Sequence, residues 1–342
     1  MIKRFFLCTL SFVALSLIMT ACGGEEPTGP ETDLNLNPEI GTWAGFRKGV
    51  ATFTFDDGLN SHYTDVAPLF DQYGFKATFF LVVNWNPKWA EFQKLSDNGH
   101  EIGSHSKSHG QNMTGEEASS KQAINSHITN QYGCITVAYP NGNVSDMDAL
   151  QANYIAGRGI TEEIMGKNGP TNWYNVPSFI TGSAGVFNNT NGFTNKMQLA
   201  IQQNGWVVFL THGLQGKDGG DYSPTDKNAI AGALNWANQN KLDIWVTSLR
   251  NAAMYCKERQ AAQVKVVAEY ANTATLSLTH SIADEVCNYA YPLSIRVKQP
   301  EEWSNVEIKQ GDKLLDAEIR DGSIYFDAIP NAADIVLKNK QQ

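Results

Sequence analysis

The chain has 342 residues, with 42% hydrophobic, 11% aromatic and 18% charged residues and a formal net charge of −9. That length allows one large domain or two ordinary ones, and the composition is that of a folded protein rather than a disordered one. The acidic balance argues against a broad nucleic-acid surface, so no nucleic-acid partner is expected.

The N-terminus bears on the compartment. Lys3 and Arg4 precede an apolar run from Phe5 to Met19, which is short for a membrane-spanning helix and ends in small residues and a cysteine. The stretch LIMTAC, Leu17 to Cys22, resembles a bacterial lipobox. The expectation is a lipoprotein signal peptide over residues 1–22, with a lipid on Cys22 anchoring the protein to the cell envelope, at the outer membrane and on the cell surface if the acids that follow act as an export signal. A Gly-, Pro- and acid-rich segment then reads as a flexible tether over 23–42. Cys134, Cys256 and Cys287 remain, an odd number with no CxxC spacing, so at most one disulfide can form among them.

From residue 43 to 257 strands and helices alternate. VATFTF (50–55), ATFFLVV (77–83), HEIGSH (100–105), CITVAYP (134–140), WVVFLTHG (206–213) and LDIWVTS (242–248) read as strands. Helices are expected over 62–74, 87–99, 116–131 and 224–239, the first two closed by Gly74 and Gly99. Repeated βα units imply a mostly parallel sheet, either a barrel or a doubly wound sheet. Residues 168–195 form a long loop-rich stretch. After Cys256 short alternating strands take over, and residues 258–342 read as a small all-β sandwich. It carries no catalytic cluster and serves as a structural spacer or a carbohydrate-binding module.

Four polar features fall where strands end: Asp56-Asp57, His105 with His109, Pro140-Asn141-Gly142, and His212. In parallel βα folds those ends gather on one face, where active sites form. In a straight strand His105 and His109 would stand about 13 Å apart, too far to share one metal ion, so His109 must lie on a tight turn after the strand. Two histidines and a carboxylate make a three-ligand site with open positions, the catalytic type for zinc or a related divalent ion. Strand alternation sends Asp56 and Asp57 to opposite sides. One of them would then bind the metal, and the other would act as general base on water at the open position.

These residues resemble the polysaccharide deacetylases of carbohydrate esterase family 4, which carry the NodB homology domain. The motif TFDDG stands at Thr54–Gly58, H-[ST]-x-x-H at His105–His109, and L-x-H at Leu210–His212. The resemblance implies a distorted (β/α) barrel and hydrolytic removal of N- or O-linked acetyl groups from an acetylated polysaccharide or oligosaccharide. It assigns Asp56 as general base and Asp57, His105 and His109 as ligands of one divalent metal, zinc first, with cobalt or nickel as alternatives. His212 becomes the general acid, Leu210 lines the acetyl pocket, and the backbone N–H of Asn141 faces the oxyanion. The family's third motif, R-x-P-[YF], departs here: Ala138 stands in place of the arginine. Arg158 is the candidate substitute, and Trp173 the candidate pocket wall. His62 is expected to be exposed at a helix start. A catalytically weak glycan-binding lipoprotein that keeps the metal site is the alternative, and a metal-free sugar-binding barrel a third reading.

Overall fold

The computed structural model describes residues 31–219, 221–283 and 285–340. The expected signal peptide and the lipid site at Cys22 lie outside the described residues. In chain order the strands of the first region are β1 (Glu39–Ile40), β2 (Gly49–Phe55), β3 (Thr78–Leu81), β4 (Glu101–Ser104), β5 (Thr136–Ala138), β6 (Ala156–Arg158), β7 (Phe179–Ile180), β8 (Trp206–Thr211) and β9 (Ile244–Val246). The helices are α1 (Ala67–Asp71), α2 (Trp89–Asp97), α3 (Glu117–His127), α4 (Met147–Asn153), α5 (Thr190–Gln202), α6 (Lys227–Gln239) and α7 (Leu249–Ala261).

Every strand from β2 to β9 pairs in parallel, in the order β6-β5-β4-β3-β2-β8-β7. The ring closes through residues 173–180. Val176 bridges Arg158 in parallel, and Phe179–Ile180 pair with Phe209–Leu210 of β8. β2 is shared unevenly: β9 covers its start at Gly49–Ala51, and β3 covers its end at Thr54–Phe55. The result is a distorted (β/α) barrel.

The period of two decides what each strand shows to each side. On β2, Ala51, Phe53 and Phe55 pack outward in the core cluster that includes Phe70, Phe193 and Ile230 from the helices. Val50, Thr52 and Thr54 face the lumen with Phe80, Ala138, Trp206 and Val208, and Trp206 Nε1 donates to Thr52 Oγ1 at 3.0 Å. The N-terminus of α7 plugs the barrel floor. The Leu249 and Arg250 N–H groups donate to Thr78 Oγ1 (2.8 Å) and Glu101 Oε2 (2.7 Å). Glu101, 1% exposed, and Thr78 thus each satisfy a helix-end donor that burial would otherwise orphan.

The second region is all antiparallel: β10 (Ala262–Tyr270), β11 (Thr273–His280), β12 (Leu293–Lys298), β13 (Val306–Gln310), β14 (Lys313–Leu315), β15 (Ala317–Arg320), β16 (Ser323–Ala328) and β17 (Ile335–Asn339). They form a five-stranded sheet, β10-β11-β17-β13-β14, and a four-stranded sheet, β1-β12-β16-β15. Leu276, Ile295, Ile308, Phe326 and Ile335 close between them, as in a sandwich. Two details differ from the sequence reading. Residues 31–42, read as tether, lie against this region: Glu39–Ile40 pair with Ile295–Arg296, and Leu36 is 1% exposed. Helix α7 runs across the expected boundary at 257/258 and passes directly into β10. Cys134 and Cys256 are buried free thiols.

Candidate metal and catalytic site

Asp56 continues the lumen-facing series Val50, Thr52, Thr54, and its N–H still donates to Thr211 O at 2.9 Å. Asp57 then breaks the alternation. Its φ is +80°, followed by +67° at Gly58, so the chain turns left-handed at once. Strand geometry would send the two carboxylates to opposite sides; the turn instead brings both into one pocket. That corrects the expectation from alternation. A left-handed conformation costs a non-glycine residue about 1–2 kcal/mol, somewhat less for Asp. Ser106 (φ +67°), His109 (+56°) and Asn141 (+55°) share it at neighbouring strand ends. Strain gathered in this way marks functional sites.

The histidine loop is held by hydrogen bonds. His109 N–H donates to Ser106 Oγ (2.9 Å), and the Lys107 and Ser108 N–H groups both donate to Glu116 Oε2 (2.9 Å each). Burial works against the Glu116 charge, but these donors outweigh it and lower its pKa. Sequence reasoning missed Glu116 because nothing local marks an acid at the start of a helix as the anchor of a preceding loop. The turn brings the His105 and His109 rings to 4.9 Å. His109 stacks on Trp85 at 5.0 Å.

His105 Nδ1 lies 2.9 Å from Ala138 O. A carbonyl only accepts, so Nδ1 carries the hydrogen and Nε2 keeps its lone pair. Burial pushes this imidazole down to about 4, which keeps it neutral at pH 7. Nε2 lies 3.5 Å from Asp57 Oδ1, and His109 Nε2 lies 3.7 Å from the same oxygen. Asp57 Oδ1 is buried with no hydrogen-bond partner. Ligands held about 2.1 Å from one tetrahedral ion stand about 3.4 Å from one another. The separations and the acceptor-rich chemistry therefore fit a divalent cation held by Asp57, His105 and His109, the trio whose ligand atoms all lie within 4.8 Å.

Arg158 crosses the lumen from β6 and donates through Nη2 to Asp56 Oδ2. Both side chains are buried, at 1% and 3% exposure. Burial alone would raise the Asp56 pKa; Arg158, His105 and His212 outweigh it and hold it down at about 2. Burial, with Asp56 beside it, pushes Asp57 up to about 7 in the metal-free protein. Arg158 thus decides which acid of the pair is charged. Asp56 Oδ1 is left buried without a partner. His212 Nε2 lies 4.0 Å from Asp56 Oδ2, and burial lowers its pKa against the pull of Asp56.

With burial and Asp56 pushing the Asp57 carboxyl up to about 7, a cation taken up there at pH 6 would have to displace its proton. The apparent affinity for zinc is expected to fall about tenfold per pH unit below pH 7. Calorimetry in buffers of different ionisation enthalpy would read the proton released; uptake with no proton release and no pH dependence from 5.5 to 7 would contradict the assignment.

The pocket, a cavity of about 400 Å³, is lined by Asp56, Asp57, His105, His109, Asn141, Arg158, Leu210 and His212. Ile180, Tyr139 and Ile160 add apolar wall. Trp85 and Tyr222 are 51% and 56% exposed, and Tyr222 meets the His212 ring edge-on at 5.3 Å. In the sheet order β3-β2-β8, Trp85 follows β3 and Tyr222 follows β8, so they stand on either side of the Asp pair.

Two expectations fail. Trp173 is not in the pocket. The Trp173 carbonyl accepts from the Gly157 N–H, and its ring packs 6.3 Å from Trp206 at the start of β8, on the barrel floor, with Lys257 over it at 4.3 Å. His62 is buried rather than exposed. Its Nε2 is 3.1 Å from His212 O, and its ring meets Phe55 and Phe79 at 5.6 and 5.5 Å. The backbone of His212 is thereby fixed from behind.

The sequence of residues 44–153 matches the profile of the family described as Polysaccharide deacetylase. The chain is also 26% identical over 325 residues to a Bacillus sp gellan lyase, covering 87% of this chain but 13% of that protein's length. Among solved structures it is similar to a family 4 acetyl xylan esterase from Clostridium thermocellum in complex with a cobalt ion (19% identity, TM-score 0.37, 59% of this chain and 89% of that one). It is also similar to the catalytic domain of a peptidoglycan N-acetylglucosamine deacetylase from Eubacterium rectale (16% identity, TM-score 0.36, 59% and 89%).

Proposed function

We propose that this chain is a metal-dependent hydrolase that removes N- or O-linked acetyl groups from a polysaccharide, held at the cell envelope by a lipid on Cys22. The observation that carries the reading is the convergence of Asp57 Oδ1, His105 Nε2 and His109 Nε2, with the ionised Asp56 beside them. Bound there, a divalent cation, zinc by preference and cobalt or nickel as alternatives, would supply Lewis-acid polarisation of the acetyl carbonyl and lower the pKa of water.

The chain's own groups divide the remaining work. Asp56 Oδ1, free while Oδ2 is taken by Arg158, accepts the proton of the attacking water. His212 Nε2 faces the same space and delivers a proton to the leaving oxygen or nitrogen as its bond to the acetyl carbon breaks. The Asp56 charge beside it favours the imidazolium that this requires. The Asn141 N–H serves the oxyanion. Leu210, with Ile180 and Tyr139, packs on the acetyl methyl, and Trp85 and Tyr222 offer ring faces to sugars on both sides. The rival reading, a weak glycan-binding protein that lost turnover with the motif arginine, weakens because Arg158 supplies a cation to Asp56.

The test is an acetate-release screen over acetylated xylan, chitin oligomers, acetylated gellan and simple acetyl esters. Release that stops with a chelator and returns with zinc, cobalt or nickel is the expected result. Retention of a glycan with no acetate released under any metal would favour the binding protein.

A further inference from the structure

A groove opens on the β sandwich, where it meets the barrel floor. Its larger half, a cavity of about 290 Å³, lies between the Gly45–Arg47 turn and strands β15 and β16. A second hollow of about 210 Å³ continues past β14, and Asp316 and Asp327 line both. The turn precedes the first residue of β2, whereas the catalytic pocket follows the last. Seven residues of strand place the two about 20 Å apart at opposite ends of the barrel.

We propose that this groove binds a stretch of polysaccharide at a site separate from the catalytic pocket; the choice of ligand rests on the functional reading above. Phe46 and Tyr325 meet edge-on at 5.3 Å in the wall of the larger half. Arg320 lies 4.0 Å over the Tyr325 ring, with its Nε 3.5 Å from Glu318 Oε2. Leu242 in one hollow is 73% exposed and Leu314 in the other 62%. Apolar surface beside planar donors and acceptors matches a pyranose, which offers C–H faces and a rim of hydroxyls. Charge narrows the choice. Arg47, Arg320 and Lys313 balance Asp316, Glu318 and Asp327, so the groove has no cationic excess for a phosphate or nucleic acid. Two adjoining hollows that share Asp316 and Asp327 suit consecutive units of a chain rather than one small molecule. A polymer held here raises the local concentration of its other segments at the catalytic pocket, without any new contact there.

The full chain, loaded with zinc, would be passed over immobilised acetylated xylan, chitin and acetylated gellan. Retention on at least one is expected, with Tyr325→Ala and Arg320→Gln each weakening it about tenfold. Arg320→Gln keeps the strand intact should Tyr325→Ala not fold. Neither change should alter acetate release from a simple acetyl ester, while release from the retained polymer should slow. Asp56→Asn should be retained like the parent, so retention is read independently of whether the deacetylase reading holds. No retention of the parent on any of the three, unchanged retention of both variants, or loss of retention with Trp85→Ala instead would overturn the proposal.

Discussion

Asp56→Asn is expected to lower acetate release by about 10²–10⁴-fold with metal content unchanged. The carboxylate is the one charged base in the pocket that is not among the three grouped ligands, and its Oδ1 has no other partner. Asn keeps the shape and still offers Arg158 an oxygen, but cannot take a proton. The substitution also removes the counter-charge of an arginine that is 1% exposed. Breaking such a pair from one side costs about 3–5 kcal/mol in general, and the retained amide oxygen places this variant at the low end. Metal stoichiometry, thermal unfolding and acetate release should therefore be measured on one preparation. A folded, metal-loaded variant within tenfold of the parent would remove Asp56 from the chemistry.

Arg158→Met should destabilise the fold by about 3–5 kcal/mol, because it strands a buried carboxylate. The pH dependence distinguishes this from simple loss of packing. In the parent, the Asp56 carboxyl is depressed from 3.8 to about 2. A depressed acid contributes stability above its unfolded pKa and loses it as pH falls through the folded value. That contribution, about 2 kcal/mol, disappears between pH 4 and pH 2. Without Arg158, burial has less to oppose it and raises the carboxyl. A raised acid stabilises at low pH and loses that stability as pH rises, so the variant should be weakest, relative to the parent, near neutrality. The acid limb of the rate profile should move up with it. Chemical unfolding at pH 3, 5 and 7 reads the first effect and a pH–rate profile the second; a constant stability difference across those three values would mean that Arg158 matters only as packing.

The barrel was legible because short apolar runs recur between helical segments and because its reactive residues all stand at strand ends, where the period of two assigns each its side. Asp56, Ala138, Arg158, Leu210 and His212 share the lumen-facing parity of their own strands. What sequence could not give were local departures from that period. The left-handed φ at Asp57 overturns the side expected of it, and no propensity marks the position beyond the glycine that follows. Trp173 was misplaced because 173–178 pair with β6, which carries the ring toward the floor. His62 looked like an exposed helix-start residue, but the helix opens with a wide turn, His62–Val66, that tucks the ring under Phe55. The segment before Trp43 looked like linker by composition, yet Leu36 and Ile40 are enough to dock it on the sandwich.

Ala138 and Arg158 are direct partners in the β5–β6 register. The cation that the resemblance places at 138 thus stands one stave to the side, twenty positions further along the chain, and reaches the acid across the ring. In this ring, two neighbouring rungs of a parallel ladder are alternative routes to one location in space. A pattern search keyed to residue 138 reads a missing cation where this molecule supplies one from the adjacent strand, so Ala138 is no ground for declaring the site inert.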